Sequence, residues 1–139
     1  MTDDCIFCRI VDGDIPARSV YGDDDVLAFL DANPLAPGHT LVIPKAHHQA
    51  LRDLPAALST AVFETVHDLV GDVEDAVDAD AHTVAVNDGP AAGQEVPHTH
   101  VHIVPRFEGD GGGPIHAIAG ARPDLTEEEL DDIADDIRG

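Results

Sequence analysis

The chain has 139 residues, 43% of them apolar, which is enough for one compact domain and too little for two ordinary ones. Its 28 acidic residues face only 7 basic ones, for a formal net charge of −21, and Lys45 is the single lysine. This balance excludes a nucleic-acid polymer as partner, because no basic stripe can neutralise phosphates. No run approaches the roughly 18 apolar residues of a membrane span.

In chain order, Cys5 to Val11 can form a short helix capped by Asp3 or Asp4, with Ile6, Phe7 and Ile10 on one side. Ser19 to Tyr21 and Val26 to Leu30 read as two strands joined by the acidic turn Gly22 to Asp25. Asp31 to Gly38, with Pro34 and Pro37, is a loop, and Thr40 to Ile43 a short strand stopped by Pro44. The strongest helix runs from about Leu54 to Val77, where Leu58, Val62, Val66, Leu69, Val73 and Val77 recur every three or four residues. Thr83 to Asn87 is a strand, Asp88 to Pro97 a loop, and His98 to Val104 a strand ended by Pro105. After the glycine-rich turn Gly109 to Gly113, a last helix begins at Thr126, where Thr126 and Glu129 fit a capping box and Leu130, Ile133 and Ile137 face inward. Antiparallel strands with one long helix and short terminal helices predict an α+β class. One domain over 1–139 is expected, its motifs within about 5–107 and a C-terminal extension and helix over 108–139.

Acidic residues are spread through the chain and do not form a tail. Their repulsion opposes compaction at low salt and largely vanishes at about 1 M, where the Debye length is roughly 3 Å. The composition is read as adaptation to a high-salt cytoplasm. The opening Thr2-Asp3-Asp4 lacks the basic start and apolar run of a secretory signal.

In an extended chain His98, His100 and His102 share one face, with Thr99, Val101 and Ile103 on the other. Three adjacent imidazoles are poor core material. Two chemistries use such a row: a metal site on the histidines themselves, or nucleophilic catalysis at phosphorus by a neutral imidazole whose neighbours contact phosphate oxygens. The preceding loop, Asn87 to Gln94, favours the second, since its small residues let backbone N–H groups approach an anion. Cys5 and Cys8 have spacing suited to metal or redox chemistry.

His98-Thr99-His100-Val101-His102-Ile103-Val104 resembles the alternating signature of the histidine triad family. Asp14-Ile15-Pro16, Leu27 to Asp31, Pro37 to Lys45, Asn87 and Gly93-Gln94 resemble the family's surroundings in the same order. The likeness is closest to the branch of histidine triad nucleotide-binding proteins. It implies a five-stranded antiparallel sheet with helices, a homodimer, and an AMP-like purine nucleotide cleaved at its α-phosphate without a catalytic metal. It further implies His100 as nucleophile, the His98 carbonyl as holder of its tautomer, His102 as phosphate contact and His39 as a fourth active-site histidine. Asp31 would accept the ribose hydroxyls, Asn87, Gly93 and Gln94 would line the phosphate side, and Phe7, Ile10, Phe29 and Leu30 would form the base slot. Glu95 departs from the Ser or Thr that many members place near the leaving group. The resemblance also implies structural Zn²⁺ on Cys5, Cys8, His47 and His98, with His48 as substitute for His47. His67, His82 and His116 are read as surface residues. The leading activity is hydrolysis of nucleoside 5′-phosphoramidates or adenylates. The alternatives are dinucleoside polyphosphate hydrolysis, metal-dependent hydrolysis at the triad, and nucleotide binding with little turnover.

Overall fold

The computed structural model describes residues 4–139, so Asp3 lies outside the described residues. Helix α1 (Ile6–Val11) precedes strands β1 (Ser19–Gly22), β2 (Val26–Leu30) and β3 (Thr40–Pro44). The long helix α2 (Ala56–Val77) leads to β4 (Ala81–Ala85), β5 (Val101–Arg106) and a final helix α3 (Glu127–Arg138). The strands form one antiparallel sheet in the order β1-β2-β3-β5-β4, the α+β arrangement expected from the sequence.

Strand alternation divides the core into two layers. Val26, Ala28, Val42, Val101 and Ile103 turn to one face, where Val62, Val66 and Val73 of α2 cover them. Phe29, Leu41 and Ile43 turn to the other face and meet Cys5, Phe7 and Cys8 from α1 and its cap. Leu41 pairs with His102 across β3 and β5, so the triad emerges on the α1 side of the sheet. Gly38 makes a close approach at the entry to β3: its φ is +85°, and a Cβ there would lie 3.0 Å from Val77 and 3.2 Å from Pro105. The next residue is His39, which is thereby held against the sheet.

Several boundaries differ from the sequence reading. Pro44 is the last residue of β3, paired with Val26, and does not stop it at Ile43, and Gly22 pairs with Leu27 at the end of β1. The α1 cap is Cys5, whose Sγ accepts the Cys8 N–H, and not Asp4. The long helix starts at Ala56, because Pro55 occupies the cap position. β4 begins at Ala81, since Asp80 already donates its N–H to the Arg106 carbonyl, and Asn87 falls in the following loop. β5 starts at Val101, where pairing with β3 begins, so His98 and His100 lie on the extended lead-in. Pro105 sits inside β5 and does not end it; β3 pairs only with Val101 to Ile103, so no ladder bond to β3 is lost there. The predicted Thr126–Glu129 capping box is present on α3. The inward face of α3 is not: Leu130 and Ile133 are each 46% exposed and Ile137 is 80% exposed.

Candidate active site

The triad histidines occupy defined tautomers: backbone groups fix His98 and His100, and the His39 ring fixes His102. A carbonyl can only accept, so His100 Nδ1, 2.7 Å from the His98 carbonyl, must carry the proton and donate it. Its Nε2 is left with a lone pair. Likewise His98 Nε2 donates to the Pro44 carbonyl at 2.8 Å, which leaves His98 Nδ1 free to act as a ligand. His39 Nδ1 accepts the Leu35 N–H at 3.0 Å, so its Nε2 carries hydrogen and donates to His102 Nδ1 at 2.9 Å. His102 must then carry its proton on Nε2. Among the described residues that atom is the buried side-chain nitrogen or oxygen with no hydrogen-bond partner. A buried donor of this kind costs free energy unless something fills the site.

Burial keeps His39 and His102 neutral. Desolvation pushes the His102 imidazole down to about 4, with His100 and His39 adding to the effect. His39 is also lowered by burial, partly offset by the Asp31 carboxylate, whose Oδ2 lies 3.6 Å from Nε2. Phe7 meets the His100 ring edge to face at 5.0 Å and Phe29 at 5.5 Å, so the nucleophile candidate is braced by aromatic packing.

These shifts have a pH consequence. The unfolded chain takes up protons at the ordinary value near 6.5, whereas folded His102 does so only near 4. The stabilisation is therefore complete above 6.5 and is lost as pH falls toward 4. Urea titrations should show wild type losing more stability than His102→Asn across that interval; parallel losses would contradict the assignment.

Three cavities meet at His102, one of them, of about 380 Å³, running over β4 and β5 past Thr83, Ala85, Val104 and Arg106, and the other two also reaching His100. Of these two, one, of about 290 Å³, contains the expected base-slot residues Phe7, Ile10, Phe29 and Leu30, together with Asp31, His100 and His102. The other, of about 360 Å³, contains His39, Asn87, Gly93 and Glu95 besides the same Asp31, His100 and His102. Gln94 lines neither: its Oε1 accepts the Gly89 N–H, and its Nε2 donates to the Gln49 and Val96 carbonyls, so it straps the loop. Sequence reasoning missed the Leu35 amide and the Pro44 carbonyl, because backbone groups leave no mark on residue identity. It also missed Arg18, which lines the same cavity as Phe7 and Phe29. His48 contributes its carbonyl to Thr99 at 2.7 Å. His67 and His116 are exposed, while half-buried His82 bonds Glu74 at 2.7 Å and ties β4 to α2.

On the far side of His98, the ligand atoms of Cys5, Cys8, His47 and His98 lie within 4.8 Å of one another. His98 Nδ1 is 3.4 Å from Cys5 Sγ and 3.5 Å from Cys8 Sγ, and His47 Nδ1 is 3.3 Å from Cys8 Sγ. Zinc bonds of about 2.3 Å to sulfur and 2.0–2.1 Å to nitrogen give a tetrahedral edge of roughly 3.5 Å, which these distances fit. Burial pushes the Cys8 thiol up to about 11, so a nearby cation is what would make it a thiolate.

A second group, Asp31, His39 and His102, is also close enough for a metal. Its His39–His102 contact is already a 2.9 Å hydrogen bond.

The HIT domain model matches residues 12–109. An uncharacterised HIT-like protein of Methanocaldococcus jannaschii is 40% identical over 97% of this chain and 99% of its own length. An Arabidopsis thaliana protein named adenylylsulfatase HINT3 is 41% identical over 79% of the chain, which spans 56% of that relative. Among solved structures, SMU.412c of Streptococcus mutans superposes with a TM-score of 0.88 at 38% identity, covering 98% of this chain and 84% of that one. A zinc-bound histidine triad family protein of Mycobacterium smegmatis gives 0.71 at 38% identity, covering 93% and 89%. Sheet order, triad placement and the extent of these matches agree, and the chain belongs to the HIT domain family.

Proposed function

We propose that the protein is a nucleotide-binding hydrolase that cleaves purine nucleoside 5′-phosphoramidates or related adenylates at the α-phosphate through a nucleotidyl-His100 intermediate. The observation that carries this reading is the tautomer of His100: its Nδ1–H is engaged by the His98 carbonyl, so Nε2 is the nucleophilic nitrogen. Base and ribose occupy the slot between Phe7, Phe29 and Asp31, with the α-phosphate at His100 and His102. His100 Nε2 forms a bond to phosphorus while the bond to the leaving group breaks; that group departs with the bonding pair and takes a proton from solvent. The developing positive charge on His100 is stabilised through the hydrogen bond to the His98 carbonyl. The unpartnered Nε2–H of His102 donates to a phosphate oxygen or the bridging atom, which gives that buried group its missing acceptor. Water then attacks phosphorus and loses a proton to solvent, the P–N bond breaks with its electron pair returning to His100 Nε2, and the nucleoside monophosphate leaves. The Arabidopsis relative's name, adenylylsulfatase, supports cleavage of an adenylate in this family.

The Cys5, Cys8, His47, His98 cluster is read as a structural zinc site, a role supported by its tetrahedral edge lengths and by the zinc-bound mycobacterial neighbour. Zinc there would fix the lead-in to β5 and supply no step of the reaction. Pairing with a second copy is supported by the open edge of β4 and by the exposed apolar residues of α3. No described helix is long and apolar enough to cross a membrane, and the acidic composition supports a high-salt cytoplasm as the working medium.

A turnover panel in high salt tests the reading. An adenosine 5′-phosphoramidate should be hydrolysed to AMP with a kcat/KM at least about tenfold above that for diadenosine tetraphosphate. A reversed order would favour dinucleoside polyphosphate hydrolysis. Tight AMP binding with turnover of neither would favour a binding protein.

A further inference from the structure

The cavity left for the leaving group has a charge pattern that the reaction itself does not explain. The base slot and the phosphate-side cavity share Asp31, Asn33, Glu95, His100 and His102. With the base in its slot and the α-phosphate at this seam, the departing group enters the phosphate-side cavity; the cavity beyond it, reached past Leu35, Asn87 and His102, holds Arg106 already paired with Asp110 at 2.8 Å, so it adds no free cation. The phosphate-side cavity is lined by two carboxylates, Asp31 and Glu95, and by no lysine or arginine. Its histidines supply N–H dipoles, and burial holds His39 and His102 neutral, so they do not offset the negative charge. Asp31 is engaged, accepting the Asn33 N–H at 2.9 Å and facing His39. Glu95 stands exposed at the rim.

An anionic departing group would therefore add its charge to a phosphate already facing two carboxylates. An amine or ammonium group would be attracted there. We infer that the leaving-group cavity selects substrates whose departing group is an amine bearing positive charge, disfavours anionic departing groups such as polyphosphate or sulfate, and that Glu95 is the specificity-determining residue. This rests on the phosphoramidase reading above and adds a substrate class to it. Adenylyl sulfate belongs to the disfavoured class.

Three adenosine 5′-phosphoramidates of nearly equal size separate charge from shape: those of 1,3-diaminopropane (cationic), propylamine (neutral) and β-alanine (anionic). For wild type at low salt, kcat/KM should fall in that order. Glu95→Gln should shrink the cationic-to-anionic ratio by about three- to tenfold, the effect of one partly solvated unit charge a few ångströms away. Raising salt should shrink the wild-type ratio as well, because an exposed carboxylate is screened; this second measurement does not depend on the variant folding. A ratio unmoved by both changes would overturn the selectivity while leaving the hydrolase reading intact. Failure to hydrolyse the neutral propylamine compound would overturn the hydrolase reading itself, and the selectivity with it.

Discussion

Replacing His100 with alanine should lower turnover of an adenosine 5′-phosphoramidate by about a thousandfold or more, while AMP affinity changes by less than about threefold. The expectation follows from a division of labour. His100 holds its Nδ1–H on a carbonyl, and in the proposed mechanism its other nitrogen attacks phosphorus. The proposed base slot, by contrast, is the cavity lined by Phe7, Ile10, Phe29 and Leu30, which the substitution leaves in place. His100 does pack on Phe7 at 5.0 Å, so a modest change in affinity is consistent. A variant retaining more than a tenth of wild-type turnover would show that another group attacks phosphorus. Loss of AMP binding in a folded variant would instead place His100 in ground-state recognition.

The second large effect concerns the metal cluster. Purified protein should contain one zinc per chain, and Cys8→Ser or a strong chelator should remove it and lower the unfolding temperature by about 10 °C or more. A ligand held at a thousand times its dissociation constant stabilises the fold by about 4 kcal/mol, and a domain of this size moves by several degrees for each kcal/mol. Without the metal, the site becomes two buried thiols and two imidazoles at contact distance, with Cys8 protonated at neutral pH. Turnover should fall in parallel, because one residue serves both centres: the His98 ring faces the cysteines and its carbonyl holds His100. Zinc-free protein with an unchanged melting temperature would contradict the structural role.

The sequence carried much of this arrangement because its signals are of the kind that side-chain identity records. The α2 stripe of Val62, Val66 and Val73 lies on the sheet as its period requires, and the capping box of Thr126 and Glu129 forms as written. Alternation likewise put His100 and His102 on one face, their rings 4.9 Å apart. What identity could not record is where ladders begin and end. The extent of β5 depends on how far β3 and β4 reach, so His98 and His100 turn out to precede the strand. Nor could composition disclose that Gln94 bonds backbone groups and not the phosphate side, or that Leu35 and Pro44 fix two tautomers through their backbones. The outward face of α3 is the clearest divergence. Its period is helical and amphipathic, but periodicity specifies a face and not the surface that covers it.

The central claim, a covalent nucleotidyl-histidine, is tested most directly by the stereochemical course at phosphorus. An adenosine 5′-phosphoramidothioate of one configuration, hydrolysed in isotopically labelled water, yields a chiral product whose handedness reports the number of displacements. Attack by His100 followed by attack by water inverts the centre twice, so the account predicts net retention. Net inversion would mean that water attacks the substrate directly, and would contradict the covalent mechanism whatever the substrate preference.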